Sequence, residues 1–451
     1  MNHSSGNTNT AVIILAAGKG TRMKSSLPKV MHEVAGKPMV MHVLDTAKSL
    51  HSSECIVVLG EGMQEAQALV NQHANVVIQK ERLGTGHAVR EALPALSQKN
   101  RKNGHVFVLY GDTPLVKPET LKAMQAKADE GNEVVVLGFR PDDPAEYGRL
   151  IADKADNLTA IIEYQEATEA QRAINLCNSG VLLLSSEVLN DLLPKVENNN
   201  SKGEYYLTDL VALAVAANKK CGYVEASADE VLGVNDRVQL AEVEAILQNR
   251  LRKHAMEQGA TLIAPETVFF SVDTVLGKDV IVHPFVVFSG VVKVGDNVEI
   301  KSHSHLEGAD VRDNAVLGPY ARLRPGTEIC KGAKVGNFVE IKKAKICAGA
   351  KVNHLSYIGD AEIGENANIG AGVITCNYDG VNKYRTHIGK EAFIGSNTAL
   401  IAPVNVGNGA LIAAGSTITE DVGDGDLAIA RSRQVIKDKA ARLLKRIRRK
   451  H

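Results

Sequence analysis

Between Leu317 and Ile418 an aliphatic residue returns at every sixth position. Leu317, Leu323, Ile329, Val335 and Ile341 hold that interval, and Ile388, Ile394, Leu400, Val406, Ile412 and Ile418 take it up again. Glycine often follows the aliphatic residue, as in Val335-Gly336, Ile363-Gly364, Ile369-Gly370 and Ile394-Gly395. Helices repeat near 3.6 residues and strands near two, so neither carries a six-residue phase. The pattern specifies a parallel β-helix, in which each repeat lays down one short side and stacked coils bury a continuous apolar column. Steps of five, such as Leu306 to Val311, Ile341 to Ile346 and Ile358 to Ile363, read as shortened corners. A series of Gly-rich loops would not keep phase over so many repeats.

At 451 residues the chain exceeds the usual single domain. A formal net charge of +0 gives no global case for nucleic acid or an acidic membrane as partner. The six cysteines include no C-x-x-C pair, which in a mixed-charge soluble chain points to a reducing, cytoplasmic setting. No apolar stretch is long enough to span a bilayer, so no stable membrane insertion is expected. Ala11–Ala17 lacks a preceding basic residue and reads as a buried first strand instead of a signal core.

From Val12 onward short apolar runs alternate with helical patterns, the strands falling at Val12–Leu15, Cys55–Leu59, Val76–Ile78, Val106–Leu109 and Val134–Leu137. Such alternation argues for a mostly parallel sheet with helices on both faces, which binds ligands beyond the carboxyl ends of its strands. Two features sit there. Leu15-Ala16-Ala17-Gly18-Lys19-Gly20-Thr21-Arg22-Met23, with Lys29 following, has the glycines and cations to surround a polyphosphate. Its spacing is neither that of a P-loop nor that of a dinucleotide fingerprint, and a plain tight turn with two solvated cations would read the same way. Tyr110-Gly111-Asp112 puts a carboxylate directly after a strand, as phosphoryl or nucleotidyl transfer needs for a hard divalent cation. Asp112 would otherwise be a turn residue before Pro114.

Arg237 to about Gln258 has close to helical spacing of apolar residues and reads as a connecting helix. The six-residue phase breaks between Ile369 and Ile388, where Thr375–His387 would project as a loop. Near that break stand Arg322, Arg324, Glu340, Lys342, His354 and Tyr357 on successive repeats. Cations, an acid and a histidine in that arrangement fit an anionic substrate and a general base. His283, His303, His305, His354 and His387 invite a zinc reading, but their phases differ.

Together, Leu15–Met23, Lys29, Asp112 and the string Gln79…Leu83-Gly84-Thr85-Gly86-His87 resemble the sugar-nucleotide pyrophosphorylase family of nucleotidyltransferases. Within it the chain is similar to bacterial bifunctional enzymes that are both N-acetylglucosamine-1-phosphate uridyltransferases and glucosamine-1-phosphate N-acetyltransferases. The strings around His354 and Asn377–Asp379 extend the likeness through the second half. The resemblance implies a Rossmann-like α/β nucleotidyltransferase domain followed by a left-handed parallel β-helix of hexapeptide repeats. It gives a polar tail at 1–10, a uridyltransferase domain at 11–236, a linker helix at 237–259, an acetyltransferase β-helix at 260–425 and a C-terminal arm at 426–451. Acetyl transfer from acetyl-CoA to glucosamine 1-phosphate is then followed by uridylyl transfer from UTP to N-acetylglucosamine 1-phosphate. Pyrophosphate leaves, and the UDP-N-acetylglucosamine formed supplies peptidoglycan and lipopolysaccharide synthesis.

By the same resemblance Leu15, Ala16, Ala17, Gly18, Gln79, Gly84, Thr85 and Tyr110 would line the UTP site, with Arg22 and Lys29 on the triphosphate and Arg22 catalytic. Gly148, Glu163 and Asn178 would grip the N-acetylated sugar, and Asp112 and Asn235 would hold Mg²⁺. His354 would be the general base, oriented or tuned by Glu340. Arg324, Lys342, Tyr357 and Asn368 would take glucosamine 1-phosphate, with Lys383 of the inserted loop in a less defined role. Ala371, Asn377, Tyr378, Ser396, Ala414 and Arg431 would contact acetyl-CoA. A homotrimer with sites between chains is expected. The rival readings are a single-activity nucleotidyltransferase with a structural or regulatory β-helix, and a non-catalytic assembly subunit.

Overall fold

The structure, a computed structural model, describes residues 9–200, 202–442 and 445. Residues 1–8 of the expected polar tail and most of the terminal basic stretch lie outside the described residues. Two units divide the chain, Met1–Gln248 and Asn249–His451.

In the first unit the apolar start of the chain becomes the strand Thr10–Ala16, parallel to both of its neighbours, Glu54–Gly60 and His105–Tyr110. Asn75–Gln79 forms the edge beyond Glu54–Gly60. On the other side of His105–Tyr110 come Cys177–Ser185, Val134–Phe139 and Cys221–Ala226 in that order. The paired strands Arg149–Ala152 and Leu158–Ile162 join this sheet through Arg149 and Cys177. Both faces are covered, so the central strands are apolar without alternation. Ile13, Ile56 and Val108 pack on one side with Val89 of the helix Thr85–Ala92. Ile14, Val57 and Leu109 pack on the other with Leu44 of Met39–Ser49 and Leu121 of Pro118–Asp129.

Cys177–Ser185 runs antiparallel to both strands it separates, a feature that the sequence reading lacked. It opens on polar Asn178-Ser179-Gly180, and its register shifts between Asn178 and Leu182. The visible apolar run is therefore shorter than the strand.

The helix Arg237–Glu257 matches the connecting helix expected. After it the chain winds through three parallel sheets of ten, eight and eight short strands. The first side runs from Thr261–Leu262 to Leu427–Ala428, and the aliphatic residues stack in register: Val282, Ile300, Leu317, Val335, Val352, Ile369, Ile394 and Ile412. The second side adds Leu306, Leu323, Ile341, Ile358, Leu400 and Ile418, and the third adds Val311, Ile329, Ile346, Ile363, Ile388 and Val406, all in one core. Three six-residue sides thus close each coil, the arrangement of a left-handed hexapeptide β-helix. The last rung, Leu427–Ala428, falls inside the stretch 426–451 expected as an arm.

Thr375 occupies one aliphatic position of the second side. It is buried with its hydroxyl satisfied, donating to Gly359 O at 3.1 Å and accepting from Gly359 N at 2.8 Å. The steps of five all lie at the corner from the second to the third side. The inserted loop leaves from that same corner, between Ile374–Cys376 and Thr386–Ile388.

At the corner from the first to the second side, Phe285, His303, Tyr320, Phe338 and Leu355 each have φ between 52° and 61°. Their repetition stacks the first four rings, with centroids 4.9, 4.8 and 5.1 Å apart.

Candidate active sites

At the carboxyl ends of the first unit's central strands lies a cavity of about 510 Å³. Of the residues expected around UTP and the sugar, Leu15, Ala16, Ala17, Gly18, Lys29, Gln79, Gly84, Thr85, Tyr110, Asp112, Glu163 and Asn178 line it. Gly20 adopts φ 59° and passes so close to Lys29 that a Cβ would meet Lys29 Cβ at 2.5 Å, so the glycine lets the lysine fold in beneath the loop. Lys29 Nζ donates to Asp112 Oδ2, and to Asn235 Oδ1 at 3.2 Å. Two hard oxygens thus converge on one cationic point, a donor set that suits a divalent cation of the Mg²⁺ type. Arg22 stands exposed in the single turn Thr21–Met23 and is not part of the cavity wall.

The sugar end is tied together through Gly148. Its carbonyl accepts from Asn178 N at 2.8 Å, and a Cβ on it would lie 3.4 Å from Glu163 Oε2. Buried Arg149 pins the preceding turn by donating to the carbonyls of Tyr147 and, at 3.0 Å, Ala145. Burial raises the Glu163 carboxyl above its ordinary value, while a 3.5 Å hydrogen bond from Thr208 opposes the shift. Burial likewise drives the Tyr110 phenol upward, with the Asp112 charge adding to it.

Four further polar wall residues, Arg82, Glu204, Tyr206 and Thr208, escaped the sequence reading, as did apolar Val30 and Ala88. Arg82 Nε donates to Ala17 O at 2.6 Å. The 204–208 segment docks on the 83–86 turn, where Tyr205 N donates to Leu83 O at 2.8 Å and Leu207 N to Thr85 Oγ1 at 3.1 Å. These are long-range contacts, and no local motif announces them.

In the second unit the repeat sorts the expected residues by side. Asn337, His354, Ala371, Ser396 and Ala414 each come two residues after an aliphatic rung of the first side, so they form one column along a corner. Arg431 closes this column by donating from Nη1 to Ala414 O at 2.5 Å. Arg324 and Lys342 lie on the second side, as does Tyr357, which is paired in register with Glu340. A groove of about 380 Å³ beside them is lined by Tyr320, Arg322, Phe338, Glu340, Leu355 and Tyr357. Asn368 is not with this group; it lies on the first side, between Lys351 and Phe393.

Two expectations change at this site. Glu340 does not hold His354: it accepts from Arg324 Nη1 at 3.0 Å and lies 3.7 Å from Arg322 Nη1. The corner separates the two residues, because Glu340 belongs to the second side. The His354 ring instead meets Asn337, with Nδ1 2.9 Å from Asn337 Oδ1. The repeat phase could have found Asn337, since it follows Val335 as His354 follows Val352. Asn377 is buried and donates its amide to Asp360, whereas Tyr378 is exposed. Lys383 comes close enough to Lys342 to lower that lysine's pKa, by direct contact first and by charge second. Of the other histidines, His283 meets Glu299 at 3.1 Å and His387 lies 3.8 Å from Glu362. Among the described residues no cluster of three or more metal-ligating His, Cys, Asp or Glu occurs.

Residues 12–179 match the MobA-like NTP transferase domain, and residues 273–308 and 385–420 match the bacterial transferase hexapeptide (six repeats). Curated proteins named Bifunctional protein GlmU align over almost the whole chain. The one from Zymomonas mobilis is 52% identical, covering 94% of this chain and 95% of that protein. Its counterpart in Paramagnetospirillum magneticum is 55% identical, covering 94% of each. In Paracoccus denitrificans the identity is 48% over 98% of each chain. With relatives this similar at full length, and with a nucleotidyltransferase sheet preceding a hexapeptide coil, the chain belongs to the GlmU family of bifunctional proteins.

Proposed function

We propose that the chain acetylates glucosamine 1-phosphate with acetyl-CoA at the β-helix and joins the product to UTP in the α/β unit, yielding UDP-N-acetylglucosamine and pyrophosphate. The observation that carries this reading is the coexistence of two polar constellations: Lys29, Asp112 and Asn235 at the strand ends, and the His354 corner beside a cationic side.

For acetyl transfer, His354 takes a proton from the sugar amine as its nitrogen attacks the thioester carbonyl, and coenzyme A thiolate leaves. Arg324, Lys342 and Lys383 supply positive charge to the sugar phosphate. The suppressed Lys342 pKa supports this role, because two ammonium groups held together gain from an anion between them. The corner column through Ala371, Ser396 and Ala414 offers small side chains along which the coenzyme lies, with Arg431 for its phosphates and exposed Tyr378 beside it. Asn377 then supports the loop through Asp360.

For uridylyl transfer, an oxygen of the sugar 1-phosphate attacks the α-phosphorus of UTP in line with departing pyrophosphate, so no side-chain nucleophile is needed. Asp112 and Asn235 are the residues that would hold Mg²⁺, which when bound neutralises phosphate charge. Lys29 and Arg22 add cations at the triphosphate, the Gly18–Gly20 turn adds backbone donors, and Gly148, Glu163 and Asn178 orient the sugar. Thr10–Ala16 and His105–Tyr110 fix these groups to adjacent strands.

A homotrimer is part of the reading. The second-side phosphate group and first-side Asn368 of one chain lie on different faces, and a neighbouring coil can complete the set. Six unpaired cysteines suit a reducing cytoplasm, and among the described residues no helix is long and apolar enough to cross a membrane.

The test is a crossed pair of variants. Asp112→Ala should lose Mg²⁺-dependent pyrophosphate release from UTP and N-acetylglucosamine 1-phosphate while keeping thiol release from acetyl-CoA and glucosamine 1-phosphate. His354→Ala should do the reverse, with acetyl transfer reduced by roughly 10²- to 10⁴-fold. Parallel loss of both activities in either variant would refute two independent sites. An inert wild type with acetyl-CoA would leave the uridyltransferase alone.

A further inference from the structure

We propose that Asn337 is the positioning residue of the acetyl-transfer base: it holds the His354 imidazole with the proton on Nδ1 and so leaves Nε2 as the atom that accepts the substrate proton. The inference rests on the reading of His354 as general base and goes one residue further back.

Asn337 and His354 are paired in register on adjacent coils, at the ends of the strands Lys334–Asn337 and Lys351–His354. In-register neighbours in a sheet lie about 4.7–4.9 Å apart, which lets a short amide reach the near ring nitrogen of a histidine one rung on. The contact is Asn337 Oδ1 to His354 Nδ1 at 2.9 Å. An amide oxygen only accepts, so Nδ1 must carry the hydrogen. The neutral ring then has its lone pair on Nε2.

The backbone holds both residues at this spacing. Leu355 N donates to Asn337 O at 3.0 Å. Gly336 packs so tightly on the next coil that a Cβ there would lie 1.9 Å from Asn353 O. The carboxylate that could have competed for the ring, Glu340, is taken up by Arg324 and Arg322. An uncharged partner has a chemical consequence: it selects the tautomer without adding a negative charge beside the ring.

The test uses the full-length enzyme and three variants, Asn337→Ala, Asn337→Asp and His354→Ala. Asn337→Ala should lower kcat for acetyl transfer by roughly tenfold to a hundredfold, the cost of a misplaced base, with KM for glucosamine 1-phosphate little changed. Asn337→Asp keeps an acceptor at Nδ1 but adds charge, so it should recover part of kcat while moving the acidic limb of the kcat/KM profile up by about one pH unit. Histidine ¹⁵N shifts should report the Nδ1–H form of His354 in the wild type and a mixture in Asn337→Ala. Uridylyl transfer in the same preparations reports the first unit alone, so an unchanged denaturation midpoint of the variants is the report on the coil. Undiminished kcat in Asn337→Ala, or an Asn337→Asp profile that superposes on the wild type, overturns the proposal. If His354→Ala is itself active, the base assignment falls; if it is inactive while Asn337→Ala is not, only the role of Asn337 falls.

Discussion

Glu163 sits where its charge is disfavoured: burial raises its pKa above the ordinary 4.5, Glu166 adds repulsion, and only Thr208 and Lys202 act against them. Asp209 nearby is pushed the same way, again by burial first. A carboxyl whose folded pKa is raised contributes stability in its protonated form. That contribution is complete below the unfolded value and is lost as pH rises through the higher folded value. Glu163→Gln should therefore raise Tm at pH 7, and the gain should shrink to nothing as the pH falls below 4.5. The same change should weaken binding of N-acetylglucosamine 1-phosphate. A variant less stable than wild type at neutral pH would contradict the argument. At this scale the sequence announced chemistry better than partnership. Asp112 and Lys29 were readable as metal and phosphate groups and Asn235 entered through the family resemblance, but their meeting through one ammonium was not legible. Glu340 was matched to His354 by family resemblance, although a corner of the coil lies between them.

Among the elements, the six-residue rungs were the most legible, because each aliphatic residue reports directly on one side of the coil. The antiparallel strand Cys177–Ser185 was the least legible, since a register irregularity divides its polar start from its apolar end. Rung spacing leaves no room for extra atoms where glycine follows the aliphatic residue. Gly336→Ala would drive a methyl into the Asn353 carbonyl, which backbone cannot yield cheaply. A destabilisation of about 1–3 kcal/mol is expected for such overpacking, visible as a lower denaturation midpoint. The same closely packed pair of strands aligns Asn337 with His354, so acetyl transfer should fall more than uridylyl transfer. Equal stability of variant and wild type would show that the coils can separate freely.

For the molecule as a whole, the two-part plan was legible because a period of six and an alternation of strands with helices cannot be confused. Assembly is another matter, since it depends on surfaces that a single chain's periodicity does not describe. The three-chain proposal predicts a sedimentation mass three times that of the chain at working concentration. It also predicts loss of acetyl transfer on dilution into monomers, with uridylyl transfer retained. A monomer fully active in both reactions would remove the argument from Asn368.

Shortened steps and the inserted loop share one corner of the coil, between its second and third sides. Length can therefore change at that edge while neighbouring rungs keep their pairing, as Ile363 and Ile388 do across the whole insertion. The coil works like a spine with one hinge line reserved for attachments. New recognition loops can be grafted or trimmed along that line without renegotiating the core, so its substrate range can evolve separately from its stability.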